Sequence, residues 1–388
     1  MRIVMFYHSL VSDWNHGNAH FLRGIATELL RRGHEVRIFE SRDNWSAQNL
    51  LREYGEHAFV KFRNAYPDLE STRYELSALN LENVLSNSDL VIVHEWNDPE
   101  LVARIGQHRK VRGDYLLFFH DTHHRSISAA EEMRAYDLSN YDSVLVFGKA
   151  IRDVYLQNGW STNVWPWHEA ADTRVFHPMP RKSLSAGEQN GNGNKRSSSE
   201  RYDGDLVWIG NWGDGERTSE LREFLIEPIK QLGLKARVYG VRYPESAIRA
   251  LADANIEYAG WVPNYEVPEI FSRFRVTVHI PRRIYANQLP GIPTIRVFEA
   301  LACGVPLVCA PWRDSEKLFA PGEDYLVAQD GAQMKRHLSN ILGNENLARS
   351  LAEHGLRTIL ARHTCAHRVN ELLAIYEASL TAAPEPVR

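Results

Sequence analysis

The chain is 388 residues long, more than one ordinary hydrophobic core fills and about right for two domains. A hydrophobic fraction of 44%, a charged fraction of 24% and a formal net charge of -4 describe a globular protein and exclude bulk electrostatic attraction to nucleic acid. Cys303, Cys309 and Cys365 are the only cysteines; without paired spacing they exclude a disulfide framework and a cysteine zinc site and predict a reducing, cytoplasmic setting.

The N-terminal "RIVMFYHSL" reads as a buried strand. Its apolar run is too short for a secretion signal, and no stretch is long enough to span a bilayer. The loop "VSDWNHGNAH" leads into "FLRGIATELLRRG", a helical pattern that Gly33 is placed to end. "HEVRIFE" follows as a second strand, completing the building unit of a parallel sheet. "DLVIVHEW", "YLLFFHD" and "SVLVFGKA" are continuous apolar runs, as expected of strands covered on both faces.

Residues 181–203 are rich in Gly, Asn and Ser and nearly devoid of apolar side chains, which predicts a flexible linker. Beyond it the alternation resumes with "DLVWIGNW", "SELREFLIEPIKQL", "KARVYG", "PESAIRALADAN", "VTVHIP" and "PLVCAP". "HTCAHRVNELLAIYEASL" reads as a last helix before a Pro-containing tail. The expectation is therefore two Rossmann-like, doubly wound α/β domains. They are 1–180 and 204–362, with 363–388 as a C-terminal helix, placed to pack back on the first domain, and a tail. Two such domains facing each other would form a cleft, with the chemistry on loops after strands.

Several loops carry polar clusters. "FFHDTHHRS" sets His120, Asp121, His123 and His124 within five positions, a pattern open to a metal site, an acid–base site or a sugar pocket. With no cysteine and no distant carboxylate to complete a closed zinc site, metal binding is the weakest of the three. "VHEWNDPEL" supplies His94, Glu95, Asn97 and Asp98 at another strand end, where Asn97 or Asp98 equally well caps a helix. Gly17 and Asn18 lie in the first loop of the first domain. Asp203 and Asp205 form an Asp–X–Asp triplet that reads as chance rather than a metal motif.

The most informative stretch is "NQLPGIPTIRVFEALACGVPLVCAP". Pro293 suits a first helical turn and Gly304 a C-terminal stop. Ile295, Phe298, Leu301 and Ala302 share an apolar stripe, while Arg296 and Glu299 share the opposite face. A helix N-terminus with free N–H groups attracts anions, and a carboxylate one turn further in can accept from a ribose diol. An ordinary buried helix with a surface ion pair has the same residues.

"TIRVFEALACGVPLVCAP" resembles the donor-binding helix of group 1 glycosyltransferases of the GT-B fold, most closely the CgeB-like, spore-maturation branch. "PWHEAADTRVFHP", with Asp172, Phe176 and Pro178, resembles the segment closing their first domain; "WIGNWGDGERTSEL" and "RRGHEVRIFE" also match. The resemblance covers most of the chain, excluding the linker and tail, and is specific for the superfamily rather than for a substrate. It implies a hexosyltransferase-like enzyme that needs neither cofactor nor metal and uses a nucleoside-diphosphate sugar as donor. The acceptor, which could be a saccharide, a protein or a small molecule, is left open, as are the donor's base and sugar.

By the resemblance, Arg217, the loop of Gly291, Ile292, Thr294 and Arg296, and Glu299 hold the donor; Gly17 and Asn18, in a loop after the first strand, are placed to approach either the donor or the acceptor. His120, oriented by Asp121, contacts the sugar. Transfer with retention would let the leaving phosphate take the acceptor proton, whereas inversion would require an Asp, Glu or His base. One departure stands out: many relatives carry two glutamates eight positions apart, and here Glu299 matches the second while Gly291 replaces the first. A non-catalytic binding protein, or a sugar-nucleotide epimerase, on the same architecture is the competing expectation.

Overall fold

Apolar runs without alternation become strands covered on both faces: every residue of Leu90–His94 and Leu116–Asp121 is buried. The computed structural model describes residues 1–180, 202–213 and 215–382. Most of the expected linker, residues 181–201, lies outside them.

One sheet contains β1 (Arg2–Phe6), β2 (Glu35–Ser41), β3 (Ser71–Tyr74), β4 (Leu90–His94), β5 (Leu116–Asp121), β6 (Ser143–Val146) and β7 (Val164–Pro166), in the order β3-β2-β1-β4-β5-β6-β7. The other contains β8 (Gly204–Ile209), β9 (Ala236–Tyr239), β10 (Ile256–Tyr258), β11 (Phe274–His279), β12 (Leu307–Cys309) and β13 (Leu326–Val327), in the order β10-β9-β8-β11-β12-β13. All these pairings are parallel. Both are doubly wound α/β sheets, as the alternating sequence pattern predicts, and in each the strand order reverses beside the first strand. The short strands β3, β7, β10 and β13 carry too few residues to be read from periodicity.

The chain divides into two compact units. The first comprises Met1–Asp172, Gln288–Ile292 and His363–Arg388; the second comprises Thr173–Asn287 and Pro293–Arg362. Within the first, helix Cys365–Ala382 packs on helix Ala19–Arg31. Gly24 makes that approach possible, because a Cβ there would lie 2.4 Å from Cys365 Sγ. Trp167 Nε1 donates to the Arg368 carbonyl at 2.8 Å, and Arg32 Nη1 donates to Asn370 Oδ1 at 2.6 Å.

The second unit's core joins Leu206, Trp208, Val276 and Val278 of its strands to Leu225, Leu251, Leu338 and Leu351 of its helices. Helix Ile295–Ala302 is almost wholly buried in this unit. It starts later than expected: Thr294 is the N-cap and Pro293 lies before it. Gly304, with φ of 62°, stands just past its end as the sequence suggested. Among the described residues no helix is long and apolar enough to cross a membrane.

Candidate functional site

Open parallel sheets bind ligands outside the strand carboxyl ends, at the point where strand order reverses. In the first unit that point lies between β1 and β4. There the chain leaves β1 through Tyr7 and His8, and leaves β4 through Glu95, Trp96 and Asn97. All of these but Glu95 line a cavity of about 540 Å³, together with Trp45, Tyr74, Arg125 and Tyr136. Trp45 and Trp96 meet edge to face at 6.2 Å, and the His8 ring lies 4.4 Å from Trp45. His8 is 4% exposed, and its Nε2 has no hydrogen-bond partner among the described residues. Burial lowers its pKa to about 4, so the ring is neutral near pH 7.

His120 ends up behind this cavity rather than on its wall. Tyr7, which does line it, shares a 2.6 Å hydrogen bond with His120 Nδ1. His120 is wholly buried among Tyr7, Phe21, His94 and Trp167, and burial lowers its pKa to about 3. His94 stacks on Tyr7 at 4.8 Å and shares a hydrogen bond with Thr122 Oγ1 at 2.9 Å.

The expectation that Asp121 orients His120 is overturned. Consecutive strand residues point to opposite faces. Asp121 accepts instead from Tyr155 Oη at 2.9 Å and from the His123 amide at 3.0 Å, while Tyr7 holds His120. On Asp121's side lies Glu95, also fully buried, whose Oε2 accepts from Arg125 Nε at 2.9 Å and Nη2 at 2.7 Å. Burial raises both carboxyl pKa values, and the Asp121 charge raises that of Glu95 further. Arg125 in turn lies 4.2 Å over the Trp96 ring.

The other first-unit candidates have structural posts. Asp98 caps helix Pro99–Arg112. Asn97 ties two strand ends, donating to the Phe6 and His94 carbonyls at 2.8 Å. His124 Nδ1 shares a hydrogen bond with Ser128 Oγ at 2.8 Å, in the short helix that follows it. Asn18 is the N-cap of helix Ala19–Arg31, and its Nδ2 donates to Glu169 Oε1 at 3.2 Å; the Gly17 carbonyl accepts from the His20 amide. Neither Gly17 nor Asn18 lines the cavity. Among the described residues no group of His, Cys, Asp and Glu is placed to hold a metal ion.

In the second unit the reversal lies between β8 and β11. After β8 the backbone turns at Gly213, with φ of 90°, and Arg217 folds back over it. A Cβ at Gly213 would sit 3.1 Å from Arg217 Nε. Arg217 is half-buried rather than solvated: Nη1 donates to the Ile280 carbonyl at 2.7 Å and Nη2 to the Asn211 carbonyl, with the guanidinium 5.2 Å from the centre of the Trp208 ring. Burial, with the charges of Arg282 and Arg296, lowers its pKa to about 10. Arg282 and Arg296 therefore lie close enough to oppose the charge of Arg217, which an anion would relieve, although Arg282 Nη1 already pairs with Glu216 Oε2 at 2.8 Å.

β11 ends in His279, whose Nε2 shares a 3.1 Å hydrogen bond with Thr294 Oγ1 at the cap of helix Ile295–Ala302. Arg296 Nη1 pairs with Glu299 one turn in. This is not a surface pair, since Glu299 is fully buried and Arg296 only partly exposed. Gly291 has φ of 87° and Ile292 is buried; both fall in the segment assigned to the first unit, whereas Thr294, Arg296 and Glu299 belong to the second. Asp203 faces Arg237 and Arg273, and Asp205 faces Arg275, so both are occupied by ion pairs.

Sequence reading passed over Tyr7, His8, Trp45 and His279. Position was the available signal for three of them: Tyr7 and His8 follow the first strand, and His279 ends the strand beside the second reversal.

Residues 217–374 match the family model described as "Glycosyl transferase-like". No curated protein sequence matches significantly. The structure is similar to sucrose-phosphate synthase from Thermosynechococcus elongatus, with a TM-score of 0.63, 14% identity, and coverage of 99% of this chain and 100% of that one. It is also similar to Anabaena HepE in complex with UDP, with a TM-score of 0.65, 13% identity, and coverage of 99% and 100%. A third similar structure is an alpha-glucosyltransferase in complex with UDP and a 13-mer DNA containing a HMU base, with a TM-score of 0.66, 13% identity, and coverage of 97% and 99%. The fold is GT-B.

Proposed function

We propose that the protein is a glycosyltransferase that moves a sugar from a nucleoside-diphosphate donor to an acceptor hydroxyl. The match of residues 217–374 to a glycosyl transferase-like model carries this reading, because that segment holds both Arg217 and the helix beginning at Ile295. The donor's diphosphate would sit against the field of Arg217, Arg282 and Arg296. Glu299, one turn into the helix, would accept from the ribose. Uridine is the first base to test, since two of the similar structures hold UDP.

In the reaction the bond between the anomeric carbon and the diphosphate oxygen breaks, and its electron pair leaves with the diphosphate. The acceptor oxygen bonds to that carbon and gives up its proton. Fixed cations at the leaving oxygens lower this barrier without a metal ion. Retention of configuration, with the leaving phosphate taking the proton, needs no protein base beside the acceptor. The glycine at 291, in place of a first glutamate, agrees with the resemblance to the CgeB-like branch and would leave sugar contact to backbone and to other side chains.

A thermal-shift series with UDP, GDP, ADP, CMP and dTDP tests the reading. One nucleoside diphosphate should stabilise the protein, and Glu299→Ala and Arg217→Ala should weaken the effect. A folded protein that responds to none of them refutes the donor site. Product analysis with the stabilising nucleotide's sugars then separates transfer from epimerisation and from binding without turnover.

A further inference from the structure

We propose that the cavity at the carboxyl ends of β1 and β4 is a binding site for a neutral saccharide, with the ring face on Trp45 or Trp96 and a hydroxyl on His8 Nε2. The proposal rests on the glycosyltransferase reading and names the acceptor class. A saccharide presents one apolar C–H face and a rim of hydroxyls, so its pocket needs aromatic surface and hydrogen-bonding groups together. The cavity has both. Two indoles meet at right angles with His8 in the corner, 4.4 Å from Trp45 and 6.1 Å from Trp96. At about 540 Å³ its volume is in the range of small-molecule sites.

His8 is the observation that points to a ligand. A buried polar atom without a partner is costly and uncommon. The side chain lines the cavity, is 4% exposed, and leaves Nε2 unused among the described residues. A sugar hydroxyl can serve as donor or acceptor and so satisfies either tautomer.

Charge selects the class. The lining contains Asp43, Asp98 and Glu132, against Arg125 as its only Lys or Arg. Arg125 is already held by Glu95 through two nitrogens and contacts Glu132 at 3.5 Å. An anionic sugar, a phosphate or an acidic peptide would therefore enter a site of its own sign. Carboxylates at the rim accept from the hydroxyls of a neutral ring, and aromatic faces need no charge on their ligand.

Intrinsic fluorescence and calorimetry on the full chain, with and without UDP, test this. The probes are methyl α-glucoside, methyl β-galactoside, maltose, cellobiose and chitobiose, with glucuronate and galacturonate as anionic controls. At least one neutral probe should bind and shift the tryptophan emission, with the uronates at least tenfold weaker. Trp45→Ala should weaken saccharide binding by about tenfold or more, and His8→Ala by a similar factor, while the UDP-induced thermal shift stays unchanged. Should Trp45→Ala fail to fold, Asp43→Trp fills the cavity from its exposed rim and should abolish saccharide binding alone. No response to any neutral probe, equal binding of the uronates, binding indifferent to Trp45 and Asp43, or a response to short peptides in place of saccharides overturns the proposal. Loss of UDP binding in the wild type would instead strike the donor reading, and leaves the saccharide titration to be read independently.

Discussion

Burial of His120 as a neutral ring makes a quantitative prediction about acid. Its pKa is about 3 in the folded chain, and an unfolded histidine titrates near 6.5. Below about pH 6.5 the unfolded state binds a proton that the folded state refuses, so stability falls as pH falls and is fully present above that value. Each pH unit in this window costs about 1.4 kcal/mol for this group. Between about pH 7.5 and about pH 5 the loss from His120 alone is therefore about 2 kcal/mol. Glu95 and Asp121 act with the opposite sign, because their raised folded pKa values let the native state take up protons first. His8, His16 and His94 add to the acid sensitivity.

A variant isolates the one contribution from this mixture. His120→Phe keeps a ring in the pocket between Phe21 and Trp167 and removes its titration. The variant loses stability at every pH because the Tyr7 hydroxyl loses its partner, a cost of about 1–3 kcal/mol. Its stability should nevertheless fall by about 2 kcal/mol less than wild type over the same acid step. Urea unfolding followed by tryptophan fluorescence at both pH values measures the difference. An identical acid loss in the two proteins would show that His120 is protonated in place, and would refute its enclosure as a neutral group.

Four further outcomes concern the donor side. Arg217→Ala leaves the Ile280 and Asn211 carbonyls without their donor and should cost about 1–3 kcal/mol in urea unfolding, with Arg217→Lys intermediate. Glu299→Gln should weaken binding of the stabilising nucleotide about tenfold by calorimetry, since a neutral amide accepts more weakly from a diol than a carboxylate does. Gly291→Ala should cost about 1–2 kcal/mol, because its φ of 87° lies where an L side chain meets its own backbone. Transfer activity should survive excess chelator, and its loss on chelation with recovery on adding a divalent ion would refute the metal-free mechanism.

Much of this architecture is legible in sequence because parallel sheets bury both faces. Runs such as "LVIVH" and "LLFFHD" have no other stable use in a water-exposed chain. The helix Ile295–Ala302 was equally legible from its stripe and from Gly304, but its start was displaced by two residues because Pro293 is as acceptable before a cap as within a first turn. The site was harder to read. Asp121 was paired with His120 because the two are adjacent in sequence, while adjacency in a strand separates side chains. Burial at Arg217 and Glu299 was not legible, since only the fold supplies the carbonyls and the partner guanidinium that allow it.

The two reversal points are built from different chemistry on the same backbone plan. Beyond β1 and β4 the first unit gathers neutral imidazoles, phenols and indoles, and its one nearby guanidinium is already bound by Glu95. Beyond β8 and β11 the second gathers Arg217, Arg282 and Arg296; burial first, and then the charges of the other two, lower the pKa of Arg217, while Arg282 pairs with Glu216 and Arg296 with Glu299. A diphosphate would gain from the second set and be repelled by the acidic rim of the first. An uncharged polyol gains stacking and hydrogen bonds from the first and displaces no counter-charge there. Glycosyl transfer requires that same asymmetry, because the leaving group carries the charge and the attacking hydroxyl carries none. Exchanging the electrostatics should therefore be costly in one direction: Arg282→Glu should abolish nucleotide binding, whereas Asp43→Asn should leave neutral saccharide binding within a few-fold of wild type. Nucleotide binding that survives Arg282→Glu undiminished would remove the basis for placing the diphosphate in the second unit.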